Sequence, residues 1–403
     1  MLRASEMRVY LDYNATTPVD PRVLEAMLPF LGDNFGNAGS VHSAGQRARA
    51  AVDSARESVA ALIGAKLSEV VFTSGGTEAD NLAIFGTVAA STKPRKHVIT
   101  TAIEHHAILH SCEELARQGV EVTVVPVATG RGSQGIVDPE DIRRALRAET
   151  VLITVMHANN ELGTIQPVEE IARIAAEAGI SFHSDAVQSA GKIPLDVARL
   201  GVDLLSISAH KFCGPKGVGA LYVRSGKHIA PRSWGGHAER DRRAGTENVP
   251  GIVALGKAAE LARTLLPEDG SRISALRDRL ETALVERIPN ILINGDRVRR
   301  VPNTSNISFP GAGGEALLIA LDLQGIACST GAACSSGSTE PSHVLLAAGL
   351  SHDHARSSLR FSLGRPSTAG EIDRAIEVIP AVVGRIRALS PREQESVAAM
   401  PAR

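Results

Sequence analysis

A lysine, an aspartate, a histidine pair, an asparagine pair, an arginine and a cysteine stand out in this chain. Each follows an apolar run, lies within one, or sits in a loop of small residues. The segment Ser206-Ile-Ser-Ala-His-Lys-Phe-Cys-Gly-Pro-Lys-Gly-Val-Gly219 places Lys211 just past a buried run, before a turn of Gly and Pro. A partly deprotonated lysine at a strand end can form a Schiff base with an aldehyde cofactor. The plainer reading is a surface lysine entering a loop. The run Ile180-Ser-Phe-His183 passes into Ser184-Asp-Ala-Val-Gln188, which sets Asp185 at the carboxyl end of a strand, where α/β proteins place ligands. A carboxylate there can hold the ring nitrogen of pyridoxal phosphate, whose protonated ring is the better electron sink. As a lone residue it could equally cap the helix that follows.

Phe72-Thr-Ser-Gly-Gly-Thr-Glu78 runs from a strand through glycines into a helix. Backbone N–H groups of Gly75, Gly76 and Thr77 at such a helix start suit a phosphate, or merely cap the helix. Thr101-Ala-Ile-Glu-His-His106 presents His105 and His106, able to stack on a flat ring and move protons. Met156-His-Ala-Asn-Asn-Glu161 presents Asn159 and Asn160, able to bond a ring hydroxyl. Each of these is also readable as a polar loop, but a set of polar groups after successive strands is harder to dismiss. Cys328-Ser-Thr-Gly-Ala-Ala-Cys-Ser-Ser-Gly-Ser338 has little to pack and reads as a mobile loop with Cys334 in it. Cys328, nearer the preceding helix, reads as a small packed side chain. Arg360, within the extended apolar stretch Ser358-Leu-Arg-Phe-Ser-Leu-Gly-Arg365, needs an anion if buried. A substrate carboxylate matches its planar fork, and a structural ion pair is the alternative.

The elements that must position these groups alternate. Helices are expected at 53–63 and 78–90, and strands at 70–72, 97–101, 121–125, 151–155, 180–183, 203–208 and 219–223. That is the rhythm of an α/β lobe with a largely parallel sheet. Helices at 249–266, 273–287, 314–324 and 369–389 with extended stretches at 306–309 and 359–362 give an α+β second lobe. At 403 residues the chain exceeds what one core usually serves. We therefore expect a large cofactor-binding domain at 18–260, and a small domain at 1–17 and 261–403 carrying the cysteine loop. A hydrophobic fraction of 43% and a net charge of −1 are ordinary for a globular protein and give no electrostatic case for nucleic-acid binding. The amino terminus has no apolar run of a secretory signal, and no run approaches the length of a membrane span, so a soluble cytoplasmic protein is expected. Four cysteines without a Cys-x-x-Cys pair exclude a disulfide scaffold and argue against a zinc ribbon.

In this order the segments resemble the cysteine desulfurases of the class V aminotransferase family, which are fold type I pyridoxal-phosphate enzymes. The match opens at Tyr10-Leu-Asp-Tyr-Asn-Ala-Thr-Thr-Pro18 and runs to about Gly364. The combination of Ser-Gly-Gly-Thr-Glu, Glu-His, Asn-Asn-Glu, Asp-Ala-Val-Gln and Ser-Ala-His-Lys is highly specific. The resemblance implies a mostly parallel seven-stranded sheet in the large lobe and a smaller α+β lobe. It implies pyridoxal 5'-phosphate on Lys211, with Asp185 at the pyridine nitrogen and His105 stacked on the ring. Asn160 and Gln188 fall on the ring-hydroxyl side, and Gly76, Thr77, Ser208 and His210 around the phosphate. Thr246, in Arg243-Ala-Gly-Thr246, matches a threonine that the partner subunit supplies, which implies a homodimer. Arg360, with Asn160 beside it, falls where the substrate carboxylate binds. Ser329-Thr-Gly-Ala-Ala-Cys334 matches the persulfide-forming cysteine.

The reaction so implied takes L-cysteine to L-alanine and a Cys334 persulfide. The sulfur passes to an iron–sulfur scaffold or another acceptor protein, for cluster assembly or tRNA thiolation, since the extended loop to Glu340-Pro-Ser342 looks like the long-loop group. No metal is required, although Cys334 could transiently ligate an iron–sulfur cluster. A selenocysteine lyase or an aminotransferase of the same fold, or a silent sulfur-relay protein, are the competing readings. Two segments depart from the family pattern: Gly36-Asn-Ala-Gly-Ser40, where Gly-Asn-Pro-Ser-Ser is frequent, and His237 in Gly235-Gly-His-Ala-Glu239, where glycine is common. Neither touches a group assigned to chemistry.

Overall fold

Strands that are apolar on both faces are stable only inside a sheet covered on both sides. The computed structural model describes residues 8–130, 132, 134–330 and 340–389, and it meets that requirement. Its strands are β1 (Val9–Tyr10), β2 (Val70–Thr73), β3 (His97–Thr101), β4 (Glu121–Val125), β5 (Thr150–Thr154), β6 (Ser181–Asp185), β7 (Leu204–Ser208), β8 (Gly219–Val223), β9 (Leu292–Asn294), β10 (Thr304–Ser308), β11 (Ile326–Ala327) and β12 (Ser358–Ser362). β2 through β8 form one seven-stranded sheet in the order β2-β8-β7-β6-β5-β3-β4. Strands β2, β3, β5, β7 and β8 are buried along their whole length, whereas the edge strand β4 exposes Glu121 and Val124. The fold class expected from the sequence is the one observed.

Direction within this sheet decides where a site can form. β7, β6, β5, β3 and β4 are parallel, and β8 is antiparallel to both of its neighbours. Two reversals restore the direction, so β2 points the same way as β7. The carboxyl ends of β2, β3, β5, β6 and β7 therefore share one edge.

The second lobe rests on the antiparallel sheet β12-β10-β9, with β1 and β11 paired in parallel beside it. Its core gathers Val9 and Leu11 from the amino terminus with Leu280, Phe309, Leu321, Phe361 and Ile379. The larger core packs Val52, Phe72, Ile153, Phe182, Ile207 and Leu255, and also takes Val344, Leu345 and Ala355. The chain thus returns to the first core after residue 340 before β12 joins the second sheet.

One element differs from expectation. The sequence pattern predicts separate helices at 249–266 and 273–287, divided around Pro267 and Gly270. The structure instead runs one helix of 39 residues, Val249–Arg287, with Pro267 inside it. At 1.5 Å per residue it is roughly 58 Å long. It buries Leu255 and Ala259 in the first core and Ile273, Leu280 and Leu284 in the second. Burial at both ends outweighs the one backbone hydrogen bond that a proline forfeits.

A strained turn is clamped from beneath. Glu239, Arg240 and Asp241 take φ values of 46°, 55° and 61°, a left-handed conformation that side chains with a Cβ disfavour. Arg56 donates from both terminal nitrogens to the Glu239 carboxylate at 2.8 Å, and the Phe72 N–H donates to the same group at 3.0 Å. The ion pair is buried, with the guanidinium 4.5 Å above the Phe72 ring. Removing one member leaves the other charge desolvated and unpaired. Glu239→Ala is expected to cost about 3–5 kcal/mol in urea unfolding, with a smaller loss for Glu239→Gln. An unchanged midpoint in the alanine variant would refute the clamp.

Candidate active site

The shared strand edge gathers the sequence-predicted groups around one cavity of about 360 Å³. Gly76, Thr77, His105, Asn160, Asp185, Gln188, Ser208, His210, Lys211 and Arg360 all line it. Asp185 and Ser208 are the last residues of β6 and β7, and Lys211 closes the short turn Ala209–Lys211 that follows β7. Gly76 opens the helix Gly76–Ala90 directly after β2, aiming its free N–H groups at the cavity. A Cβ on Gly76 would lie 2.8 Å from Val187 Cγ2, so a larger residue there would displace the Val187 side chain. Thr246 is exposed and is not among the walls of the cavity. Cys334 lies outside the described residues.

The Lys211 ammonium nitrogen donates to the backbone carbonyls of Asn14 and Ala15, at 2.7 and 2.8 Å. Asp185 is buried, and burial lifts its carboxyl to about 6 against the opposing Val187 N–H bond and the Lys211 charge. Asp80 lies buried near it, its carboxyl pushed well above the usual range by burial and then by Asp185. One Asp80 oxygen, Oδ1, has no hydrogen-bond partner. His105 caps the helix His106–Arg117, its Nδ1 accepting from the Ala107 N–H at 3.1 Å. Burial, then the Lys211 charge, brings its pKa down to about 4. The imidazole is therefore neutral, with its hydrogen on Nε2, and can face a flat ring without charge. Arg360 donates to Asp12 Oδ1 at 2.7 Å and to the Asn160 carbonyl at 3.0 Å, while its Nε has no partner. It thus has the structural ion pair and still opens on the cavity.

The sequence assigns no role to four contributors. Asn14 bonds Asn160, Thr304, Ser362, Asn303 and Lys192. Lys192 follows a glycine, the usual setting of a surface turn. Asp80 and Glu104 sit beside more conspicuous residues, and no periodicity marks either. Buried Glu104 accepts from Thr101 Oγ1 at 2.6 Å and from the Met156 N–H at 3.0 Å. Cys328, by contrast, is packed in the second core as its sequence position suggests, and burial pushes its thiol up to about 12.

A buried carboxyl for a ring nitrogen, a lysine amine, a neutral imidazole and a helix N-terminus for a phosphate are the donor set that pyridoxal phosphate needs. The Asp80 oxygen without a hydrogen-bond partner, 3.6 Å from His183 Nε2, and the glycine at Gly76 fit such an occupant. A seven-stranded sheet with these groups along one edge defines a fold type I pyridoxal-phosphate enzyme. Comparison with known proteins agrees. The family described as aminotransferase class-V matches residues 9–375. The cysteine desulfurase IscS of Dictyoglomus turgidum is 49% identical over 96% of this chain and 97% of its own length. A solved NifS-like protein is 39% identical with a TM-score of 0.88, over 94% of this chain and all of the other. SspA, solved in complex with cysteine, is 37% identical with a TM-score of 0.79, over 89% of this chain and all of its own. The chain belongs to the cysteine desulfurases of the class V aminotransferase family, pyridoxal-phosphate enzymes that yield alanine and a persulfide.

Glu104 makes a measurable signature of the buried wall. Burial lifts its carboxyl to about 8 from an ordinary value of 4.5. A carboxyl pKa raised in the native state contributes stability that is fully present below the unfolded value and lost as pH rises through the folded one. The window is therefore about pH 4.5 to 8. Glu104→Gln is expected to remove a loss of about 1 kcal/mol per pH unit across that window. Urea unfolding of both proteins between pH 5 and 8 measures it, and parallel curves would contradict the assignment.

Proposed function

We propose that this cysteine desulfurase holds its cofactor on Lys211 and transfers the substrate's sulfur to Cys334, as a homodimer in the cytoplasm. The observation that carries the reading is one cavity walled by Lys211, Asp185 and His105, with the Gly76 helix start opening on it. When bound, pyridoxal phosphate supplies an electron sink that lets the substrate's Cα proton leave. Asp185, already buried, keeps the ring nitrogen protonated. Gly76, Thr77, Ser208 and His210 bind the phosphate, and Asn160 and Gln188 the ring-hydroxyl side. Lys211 takes the Cα proton, with the neutral imidazole of His105 stacked beside it. Arg360 and Asn160 bind the substrate carboxylate.

Cys334 then forms a bond to the substrate sulfur as the C–S bond breaks; the carbon keeps the electron pair and is protonated to alanine. Both roots of its loop are tied near the cavity. Ser329 pairs with the backbone of Arg360 at 3.2 and 2.6 Å. Ser342 Oγ donates to Glu161 at 2.5 Å, and the His343 ring bonds the Glu104 carbonyl at 3.0 Å. From Thr330 the chain can carry Cys334 at most roughly 14 Å. A tethered thiol has a high effective concentration at the substrate and can carry the sulfur outward.

The exposure of Thr246, away from its own cavity, supports a partner subunit completing the phosphate site. The acceptor is an iron–sulfur scaffold or a tRNA-thiolation protein. Among the described residues no helix is long and apolar enough to cross a membrane. The large cofactor domain spans 18–260, and the small domain 1–17 and 261–403.

Lys211→Ala is expected to lose the visible absorption of the bound cofactor and all alanine release. Cys334→Ser should keep the absorption and release no alanine; turnover at the wild-type rate would move the nucleophile to Cys328. Sedimentation equilibrium should give twice the chain's mass, and a monomer with full activity would remove Thr246 from the site.

A further inference from the structure

Lys192 is an unusual residue for its place. Its side chain is half-buried beside the cavity, and among the described residues no carboxylate lies within ion-pair distance of it. Its ammonium nitrogen donates instead to two amide oxygens, Gln188 Oε1 at 2.6 Å and Asn14 Oδ1 at 2.8 Å. Desolvation, followed by the cations of Lys211 and Arg360, holds its pKa well below the usual lysine range, with Cys213 opposing. A lysine kept under such pressure without an anion has to be supported by what it does for its neighbours.

What it does is fix the polarity of Gln188. The Gln188 atom that faces Lys192 is the oxygen, which accepts from the lysine nitrogen. On its other side Gln188 donates from Nε2 to the Asn14 backbone carbonyl at 3.0 Å, and a carbonyl only accepts. Both ends of the amide are thus assigned by chemistry. Nε2 has a second hydrogen, and Gln188 lines the cavity. The same Asn14 carbonyl accepts from Lys211 at 2.7 Å, so the amine that holds the cofactor and the amide that meets it share one anchor.

We propose that Lys192 is a positioning residue that locks Gln188 with its N–H toward the cavity, so that the site receives the cofactor's ring oxygen as an anion. This rests on the reading that the cavity binds pyridoxal phosphate with its hydroxyl on the Gln188 side. Without Lys192 the amide keeps only its Asn14 anchor and can turn its oxygen inward, where an oxygen facing an oxygen repels the ionised form. A hydrogen bond to the charged form favours that form, so its loss raises the titration midpoint of the ring system. Asp185 and the Lys211 nitrogen face the same ring, and they are unchanged in the variants proposed.

The experiment is a spectrophotometric pH titration of the visible band of the cofactor-loaded enzyme. Lys192→Met is expected to raise the midpoint by about one unit, the worth of one ordinary hydrogen bond to an anion. Lys192→Arg, which keeps the donors, should stay near the wild-type midpoint. If Lys192→Met fails to fold, Gln188→Leu removes the donor itself and should raise the midpoint in the same way. Wild-type midpoints in the methionine and leucine variants would overturn the proposal. So would equal shifts in the methionine and arginine variants. A wild-type protein with no Lys211-dependent visible band would instead sink the cofactor reading, a separate outcome.

Discussion

Polar groups buried in the seam between two lobes are costly unless they find partners, and Asn14 supplies partners to groups on both sides of it. Its side-chain nitrogen donates to the Asn160 carbonyl and to Thr304 Oγ1, and its side-chain oxygen accepts from Lys192 and Asn303. Its backbone N–H reaches Ser362 Oγ, and its carbonyl takes Lys211 and Gln188. Thr304, Asn303 and Ser362 belong to the smaller sheet or its border, whereas Asn160, Gln188 and Lys192 belong to the larger lobe. One residue therefore sets the register between the two sheets and the position of the lysine amine at once. In a site of low dielectric, a network so fully satisfied is rigid, and a half-satisfied one would be worse than none.

Chain direction is the second condition. Had β8 been parallel to its neighbours, β2 would still share the edge, but the glycine turn after β2 would not lie against Gly219. A Cβ on Gly219 would come within 2.8 Å of the Gly75 backbone, so the antiparallel β8 starts where the helix Gly76–Ala90 begins. The glycine end of the cavity is thus built against the one reversed strand in the sheet. The helix after β2, the turn after β3 and the end of β6 bring buried acid groups together. Asp80, Asp185 and Glu104 all have pKa values raised by burial, and Lys211 is the cation that faces Asp185.

What is legible in the sequence follows from what each signal encodes. Buried parallel strands are continuous apolar runs, so β2 through β8 can be read with small shifts at their ends. The polar groups that follow them can be read as a set because strand ends in a parallel sheet converge. Pairing between distant segments leaves no such trace. Asn14 and Ser362, or Arg56 and Glu239, meet only after the chain has folded, at separations of 348 and 183 residues. Lys192 goes unmarked because a lysine after glycine ordinarily lies in a surface turn. Pro267 suggests an ending because the cost of a proline is local, whereas the burial that outweighs it lies at both ends of a helix spanning two cores.

Arg360 shows why a site residue and a structural residue need not be different things. Its backbone is a rung of the smaller sheet opposite Asn306, and it also bridges to Ser329 at the root of the cysteine loop. Its guanidinium is nearly inaccessible and rests on Asp12, whose carboxylate is itself partly open to solvent at 18%. A guanidinium has five donors in a plane, and Asp12 Oδ1 with the Asn160 carbonyl occupies only part of the fork. The partnerless Nε and the opening onto the cavity leave room for a second carboxylate without breaking the first pair. Asp12 holds the guanidinium in place, so little further ordering is needed for it to meet an anion in the cavity. The same residue thus joins the cavity wall to β12 and, through its backbone bridge, to Ser329.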